Sequence, residues 1–553
     1  MIRKTQITQK MNYLRLLSTI GIIIFLFSCK EPAPRPVVRI IPLPVEVTDL
    51  KGIFTLTSVT KIGISRDNQE MRQLASFVAS HTDKYFGLVN EITNSEKGDN
   101  GLVFLNLNEE AKLGKEAYHL TVNADGVMIE AATPNGLFYG IQTLKQLMPS
   151  VPQKIGEIIL PAVEIKDSPR FSWRGMHLDV SRHFMPKSFI IKYLDYMAMH
   201  KFNTFHWHLA DDQGWRIEIN KYPQLTEKGA IRKQTIMGHI NNTTGIDTIP
   251  YGGYYSQNDV REIVSYAAER YITIVPGIEM PGHALAALAS YPELGCTGAS
   301  YEVATRWGLF SDVYCPGKEE TYAFIRNVLT EMSGLFPGKQ VHIGGAECYE
   351  TRWEKCPMCQ QRVRNDSLSS THALHNYFVS RVSSILDSLG KDMIGWDEIL
   401  KDTLLSKGII MSWHDVDGAK TAIQRNFQTV MSPAKYCNFD LYQTDPKGEP
   451  LATGGMLTLE QVYNFEPVPA EVSKQEAKNI IGAQANVWTQ YMKSPEYVEY
   501  MVFPRAAALA EVVWSPRESR NYVWFKKRML EQIKRYDTEG IGYCKAEFKP
   551  ATN

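Results

Sequence analysis

Thr204-Phe205-His206-Trp207-His208, followed at once by Leu209-Ala210-Asp211-Asp212, is a short apolar run that ends in polar, chemically loaded residues. Its length and composition fit a buried strand. Seven further runs of this kind lie beyond Arg170: Gly175 to Asp179, Thr273 to Pro276, Gln340 to Gly344, Asp392 to Trp396, Ile409 to Trp413, Thr429 to Ser432 and Ile480 to Gln484. The connections are long enough for helices, as in Phe189 to Lys201 and Asn258 to Tyr271. Eight strand–helix repeats predict an α/β fold, a (β/α)8 TIM barrel, with its active site at the C-terminal strand ends. Those ends carry Asp179, His206 to Asp212, Glu279 to His283, Ala346-Glu347, Trp396-Asp397-Glu398, Trp413 and Trp488.

Upstream the rhythm differs. Tyr118 to Val122 and Val127 to Ala131 alternate around Asn123-Ala124-Asp125-Gly126, a hairpin signal. Gly136 to Met148 reads as an amphipathic helix with Leu137, Ile141, Leu144 and Met148 on one face. A small α+β supporting domain is therefore expected over residues 37–167, ahead of a barrel with C-terminal helices over 168–553. Before it, Arg3, Lys4, Lys10 and Arg15 precede the apolar run Leu16 to Phe27. That run is too short to span a bilayer and suits an export signal. It ends in Ser28-Cys29, which resembles a bacterial lipoprotein cleavage site, so residues 1–28 read as a signal peptide and Cys29 as the lipidation site. Pro32, Pro34 and Pro36 make residues 29–36 an extended tether. A plain secretory signal, or Met11 as the start, is the alternative. The expected location is the bacterial cell envelope, in the periplasm or at an outer-membrane surface, with a membrane contact through the lipid.

The 553 residues carry 60 Lys+Arg against 60 Asp+Glu, with 44% hydrophobic and 11% aromatic residues. This excludes a disordered chain and removes the basic footprint of a nucleic-acid binder. An aromatic-rich soluble protein suits flat, partly apolar ligands such as sugars. Seven cysteines follow Cys29, an odd number, which argues against a disulfide scaffold. Cys348, Cys356 and Cys359 cluster, but a second Cys-x-x-Cys is missing and no His lies at ligand spacing, so no metal is expected. With no dinucleotide or phosphate-loop fingerprint, no cofactor is expected either.

Carboxylates and Trp residues at barrel strand ends suit glycoside hydrolysis, where an acid protonates the leaving oxygen and aromatic walls pack on the sugar. The segments Trp173 to Phe184, Phe205 to Gln213, Pro276 to His283, His342 to Glu347 and Gly395 to Glu398 resemble the motifs of glycoside hydrolase family 20, the β-N-acetylhexosaminidases. The resemblance implies an exo-acting β-glycosidase that releases a terminal β-linked hexosamine from glycans. It implies Glu347 as general acid/base, Asp179 and His283 as a supporting relay, Arg174 and Asp440 on the outer hydroxyls, and Trp396, Trp413 and Trp488 as pocket walls.

Three positions depart from the family pattern. In the family the substrate's own 2-acetamido oxygen attacks the anomeric carbon, and an Asp and a Tyr hold that group. Here Ala346 stands at the Asp position and Asn438 where the Tyr would be, while Gln490 replaces a Glu that contacts the outer hydroxyls. A hydrogen bond to a charged group is worth about 1.5–3 kcal/mol, so losing the Asp slows an assisted reaction by roughly ten- to more than a hundred-fold. Three changes around one sugar read as natural divergence. The alternatives are a glycosidase for a sugar with a different 2-substituent, with Asp397 or Glu398 as nucleophile or base, and a catalytically impaired carbohydrate-binding lipoprotein.

Overall fold

The computed structural model describes residues 38–152, 156–400, 405 and 407–548. Cys29, the signal and the tether lie outside the described residues. Eight parallel strands close a barrel: β1 (Trp173–Asp179), β2 (Thr204–Asp211), β3 (Thr273–Met280), β4 (Gln340–Gly344), β5 (Asp392–Trp396), β6 (Ile409–Ser412), β7 (Gln428–Met431) and β8 (Ile480–Ala485). Each pairs with the next, and β8 pairs with β1, which leaves no edge. All eight expected strands are present; β2 and β3 run three and four residues further than the sequence reading, to Asp211 and Met280. Their near-continuous burial is what a sheet covered on both faces requires.

Ahead of the barrel lies a seven-stranded mixed sheet with two helices, Gln69–Phe86 and Pro134–Leu147. The expected hairpin forms: Asn123 pairs with Gly126, and Asn123 Oδ1 accepts from the backbone N–H groups of Asp125 and Gly126 at 2.9 and 3.1 Å. The helix starts two residues before the expected Gly136, because the Thr133 hydroxyl accepts from Gly136 N–H at 3.3 Å and Pro134 suits the first turn.

The small sheet is joined to the barrel through buried charge. Asp167, at the end of the last small-sheet strand (Glu157–Asp167), accepts from Lys201 Nζ at 2.9 Å, Tyr118 Oη at 2.6 Å and Trp514 Nε1 at 2.9 Å. Arg174, the second residue of β1, donates to Glu116 at 2.7 and 3.0 Å and to Tyr139 Oη at 2.9 Å. Both cations are fully buried, and removing one partner of such a pair costs about 3–5 kcal/mol. These contacts lie at the N-terminal ends of the strands, the face that serves stability in this fold.

Candidate active site

At the opposite end, a cavity of about 240 Å³ is lined by Arg182, Asp211, Glu279, His283, Ala346, Glu347, the three Trp residues, Asn438, Asp440 and Gln490 among others. It lies below the roughly 300–1,000 Å³ of sites for drug-sized ligands, a size suited to one sugar ring.

Glu347 follows β4 through Gly344-Gly345-Ala346. Gly344 takes φ 71°, and a Cβ there would lie 1.7 Å from Glu279 Oε2, so only glycine lets the Glu279 carboxylate sit under this turn. Glu347 itself is left-handed at φ 53°, as is His283 at φ 52°. Non-glycine residues rarely adopt this region, and such strain concentrates at functional sites. His283 Nε2 lies 3.2 Å from Glu347 Oε2, and His283 Nδ1 lies 3.0 Å from both Asp211 Oδ1 and Asp212 Oδ2.

The electrostatics follow. Burial opposes charge on His283, but the Asp211 charge and bonds to Asp211, Asp212 and Glu347 hold its imidazolium well above the ordinary histidine range. Burial likewise pushes the Glu347 carboxyl up, but the hydrogen bond and charge of His283 outweigh it and leave it lowered. The resting pair is thus a carboxylate facing an imidazolium, with one transferable proton. The Glu347 side chain is 39% exposed while that of His283 is 8% exposed, so the acid faces the cavity and the imidazole feeds it from behind.

Asp179, expected to support His283, does not reach it. Its Oδ1 accepts from the N–H groups of Ser181 and Arg182 at 2.8 and 3.2 Å, and its Oδ2 from Thr489 N–H at 3.1 Å. It ties the end of β1 to the loop that carries Trp488 and Gln490. β3 is paired to β2, not to β1, so Asp211 at the end of β2 and Asp212 just past it are the carboxylates His283 meets. Arg174, expected on the sugar's hydroxyls, sits at the other end of β1 against Glu116. The cavity's arginine is Arg182, three residues past the end of β1; its Nη2 pairs with Asp211 at 2.9 Å, and its Nη1 lies 3.5 Å from Asp179 Oδ2 in an ion pair, with no hydrogen bond among the described residues.

Trp396 is nearly buried, with Trp413 and Trp488 half-buried beside it at ring-centroid distances of 6.5 and 6.0 Å. At the far end Asp440 Oδ2 accepts from Thr453 Oγ1 at 2.7 Å, while Asp440 Oδ1 and Gln490 Oε1 are buried without hydrogen-bond partners among the described residues. Burial pushes the Asp440 carboxyl up to about 6. Unpaired buried acceptors are costly unless a ligand satisfies them. A hairpin of Thr235–His239 and Asn242–Asp247 closes this end, through His239 Nε2 at 3.0 Å from Thr453 O and Ile240 N–H on Tyr491 Oη at 3.1 Å.

Ala346 is buried in the apolar cluster that also holds Ile394, Trp396 and Met411, and its methyl offers no acceptor. Asn438 Oδ1 accepts from Asn486 Nδ2 at 3.4 Å, which leaves the Asn438 amide N–H groups free to donate. Asp397 and Glu398, the candidate nucleophiles, do not line this cavity. Asp397 is taken by His414 Nδ1 at 2.8 Å and Ser412 Oγ at 3.3 Å; Glu398 accepts from Trp413 Nε1 at 3.2 Å and Glu347 N–H at 3.4 Å. Both face a neighbouring cavity with His414 and Asp415, because the 3-10 turn Asp397–Leu400 carries them behind Trp413. The cysteines also regroup: Cys356 and Cys359 meet Cys296 and Cys315, not Cys348.

A (β/α)8 barrel with a supported acid in a one-sugar cavity defines a glycoside hydrolase. The catalytic-domain model of glycosyl hydrolase family 20 matches residues 171–517, and that family's domain 2 matches residues 37–168. The chain belongs to glycosyl hydrolase family 20. It is 40% identical to a β-hexosaminidase of Porphyromonas gingivalis over 511 residues, covering 92% of this chain and 64% of that protein, so it spans just under two thirds of that relative's length. Among solved structures it resembles the exo-β-N-acetylglucosaminidase of Vibrio harveyi in complex with N-acetylglucosamine, with TM-score 0.80 and 31% identity over 92% of this chain and 78% of that one. It also resembles the β-N-acetylhexosaminidase of Streptomyces coelicolor, with TM-score 0.81 and 30% identity over 94% of this chain and all of that one.

The shared proton gives a pH test. With His283 present, the pair loses its proton only above the raised histidine pKa. In His283→Asn the proton belongs to Glu347 alone, a carboxyl that burial pushes up from an ordinary value below that of an imidazole. The alkaline limb of the kcat/KM profile for aryl β-glycoside hydrolysis should therefore move to lower pH, and an unmoved limb would show that His283 does not govern the acid.

Proposed function

We propose that this chain is an exo-acting β-glycosidase that releases a terminal β-linked hexosamine from glycans, with Glu347 as general acid and then general base. The observation that carries this is the Glu347–His283–Asp211/Asp212 chain opening on a one-sugar cavity whose far end is closed. The relatives named above support it: each is called a hexosaminidase or acetylglucosaminidase.

In this reading the sugar ring packs on the Trp walls, and its outer hydroxyls satisfy Asp440 Oδ1, Gln490 Oε1 and Arg182 Nη1. Glu347 takes the His283 proton and passes it to the glycosidic oxygen as the bond to C1 breaks. Asp397 and Glu398 face a neighbouring cavity, Asp211 is held by His283, His208 and Arg182, and Glu279 lies beneath Gly344; as the family resemblance implies, the electron pair that replaces the broken bond comes in this reading from the substrate's 2-acetamido oxygen. Water then attacks C1, giving its proton to Glu347, and the acetamido group is restored. General acid–base catalysis of this kind contributes roughly 10²–10⁴-fold.

The acetamido contacts are remodelled in this proposal. Ala346 supplies no carboxylate to hold the acetamido N–H, and Asn438 supplies an amide donor where a phenol would stand. A sugar with a different 2-substituent is the second reading, favoured by the apolar surface that Ala346 and Trp396 present. We further propose export and lipid anchoring at Cys29, supported by the basic-then-apolar order of residues 3–27. Cys29→Ser should then release the chain from the membrane fraction of its host, and retention there would refute the anchor.

A panel of aryl β-glycosides tests the activity. Weak hydrolysis of the N-acetyl-β-glucosaminide is expected, and Ala346→Asp with Asn438→Tyr should raise it roughly ten- to more than a hundred-fold, the worth of the restored charged hydrogen bond. Binding of a sugar with no aryl release from any member would overturn the enzyme reading; high wild-type turnover that the double change lowers would overturn the remodelled site.

A further inference from the structure

Cys356-Pro357-Met358-Cys359 alone offers two thiols, and the fold brings two more to it. Cys296 follows the short turn Pro292–Leu294, and Cys315 donates its backbone N–H to Leu294 O at 2.9 Å, which places these two side by side. Cys296 Sγ lies 3.7 Å from Cys359 Sγ, Cys315 Sγ lies 3.7 Å from Cys356 Sγ, and Cys315 Sγ lies 3.4 Å from Cys359 Sγ. All four sulfurs fall within 4.8 Å of one another. Three of these cysteines are buried and Cys296 is half-buried.

Zinc bound by thiolates has Zn–S of about 2.3 Å in a tetrahedron, which sets sulfurs about 3.8 Å apart. The three contacts, at 3.4 to 3.7 Å, lie close to that edge. A pair of disulfides would single out two contacts, whereas here the contact between the two nearest-paired sets, Cys315 to Cys359, is shorter than either pair. Val313, Trp353 and Leu374 pack around the sulfurs, so the cluster turns inward on itself. Gly317 brings its backbone against the Cys-x-x-Cys turn: a Cβ there would lie 2.4 Å from Met358 C and 2.5 Å from Cys359 N. Two Cys-Pro turns, Cys315-Pro316-Gly317 and Cys356-Pro357-Met358, therefore meet backbone to backbone. Soft sulfur donors in tetrahedral array select zinc over hard divalent cations.

We propose that Cys296, Cys315, Cys356 and Cys359 bind one zinc ion as a closed, structural tetrathiolate centre. Binding releases the four thiol protons to solvent, and four protein ligands leave no open position for chemistry. The position gives the metal a task. Tyr314 donates its N–H to Pro281 O at 3.0 Å, two residues before His283, and Cys356 lies nine residues beyond Glu347. Zinc would thus clamp the loop that carries His283 to the loop that carries Glu347. It would supply part of the force that holds both residues in left-handed backbone. Cys348 lies outside the centre, with its Cα against Gly282.

The full chain, purified from zinc-supplemented cells without chelator, should carry one zinc per chain by mass spectrometric metal analysis. Cys359→Ser should lose it and Cys348→Ser should keep it. Because Cys359→Ser can also fail to fold, the unaltered chain is tested in parallel: a mercurial thiol reagent should release the zinc to a chromophoric chelator, and cobalt replacement should give the intense visible bands of a tetrahedral cobalt thiolate. A metal-free chain whose denatured mass is four hydrogens short would show two disulfides and overturn the proposal. A metal-free chain with four free thiols that takes up neither zinc nor cobalt would overturn it equally.

Discussion

His283 bonds on one side to the carboxylates at the end of β2 and on the other to Glu347 beyond β4, and the rest of the site is arranged around that bridge. The contact exists only because two loops accept left-handed backbone at their reacting residues, at a cost of about 1–3 kcal/mol each. Neighbouring contacts hold them there. Glu398 accepts from the Glu347 N–H, and a Cβ on Gly282 would lie within 3.4 Å of the Ala346–Cys348 backbone, so the two loops touch directly. Asp211 is itself fixed by Arg182 and by His208 Nε2 at 2.9 Å. The proton rests on the buried histidine, and the exposed Glu347 is the side of the pair through which it can reach a ligand in the cavity.

The same cavity is where the proposed change of specificity lies. The wall residues and the hydroxyl end are complete: three Trp rings, and unpaired acceptors on Asp440 and Gln490 that a sugar can satisfy. The wall proposed to lie beside C2 differs. Ala346 adds a methyl to an apolar cluster where family resemblance leads one to expect a carboxylate. Glu279 does not replace it, because its carboxylate lies beneath Gly344 and accepts from Trp396 Nε1 at 3.2 Å. In the proposed reading the acid machinery is kept and the acetamido recognition is altered.

Much of this was legible in the sequence. The eight strands could be read because barrel strands are apolar, short and bounded, and the loaded residues at their ends marked the active face. Which of those residues touch was harder to read. Asp179 and Asp211 both end a strand, and only the order of strands in the closed sheet decides which one faces His283. Arg174 and Arg182 lie in the same motif; strand direction separates them, since the second residue of a strand lies at the opposite end of the barrel from a residue past its close. Asp397 and Glu398 follow Trp396 directly, but a tight turn sends them behind Trp413. The four cysteines escaped for another reason. Cys296 and Cys315 are distant in sequence from Cys356 and share no spacing with it, so only two loops folding against each other bring the sulfurs together.

The central claim is that Glu347 delivers the proton to the departing oxygen. The most direct measurement is the dependence of hydrolysis rate on leaving-group acidity, for a series of aryl N-acetyl-β-glucosaminides, in the unaltered chain and in Glu347→Gln. A working acid makes the rate nearly insensitive to the leaving group, while its removal should make the rate fall steeply as the leaving group becomes less acidic, with the most acidic members nearly spared. An equal loss across the whole series would contradict the assignment.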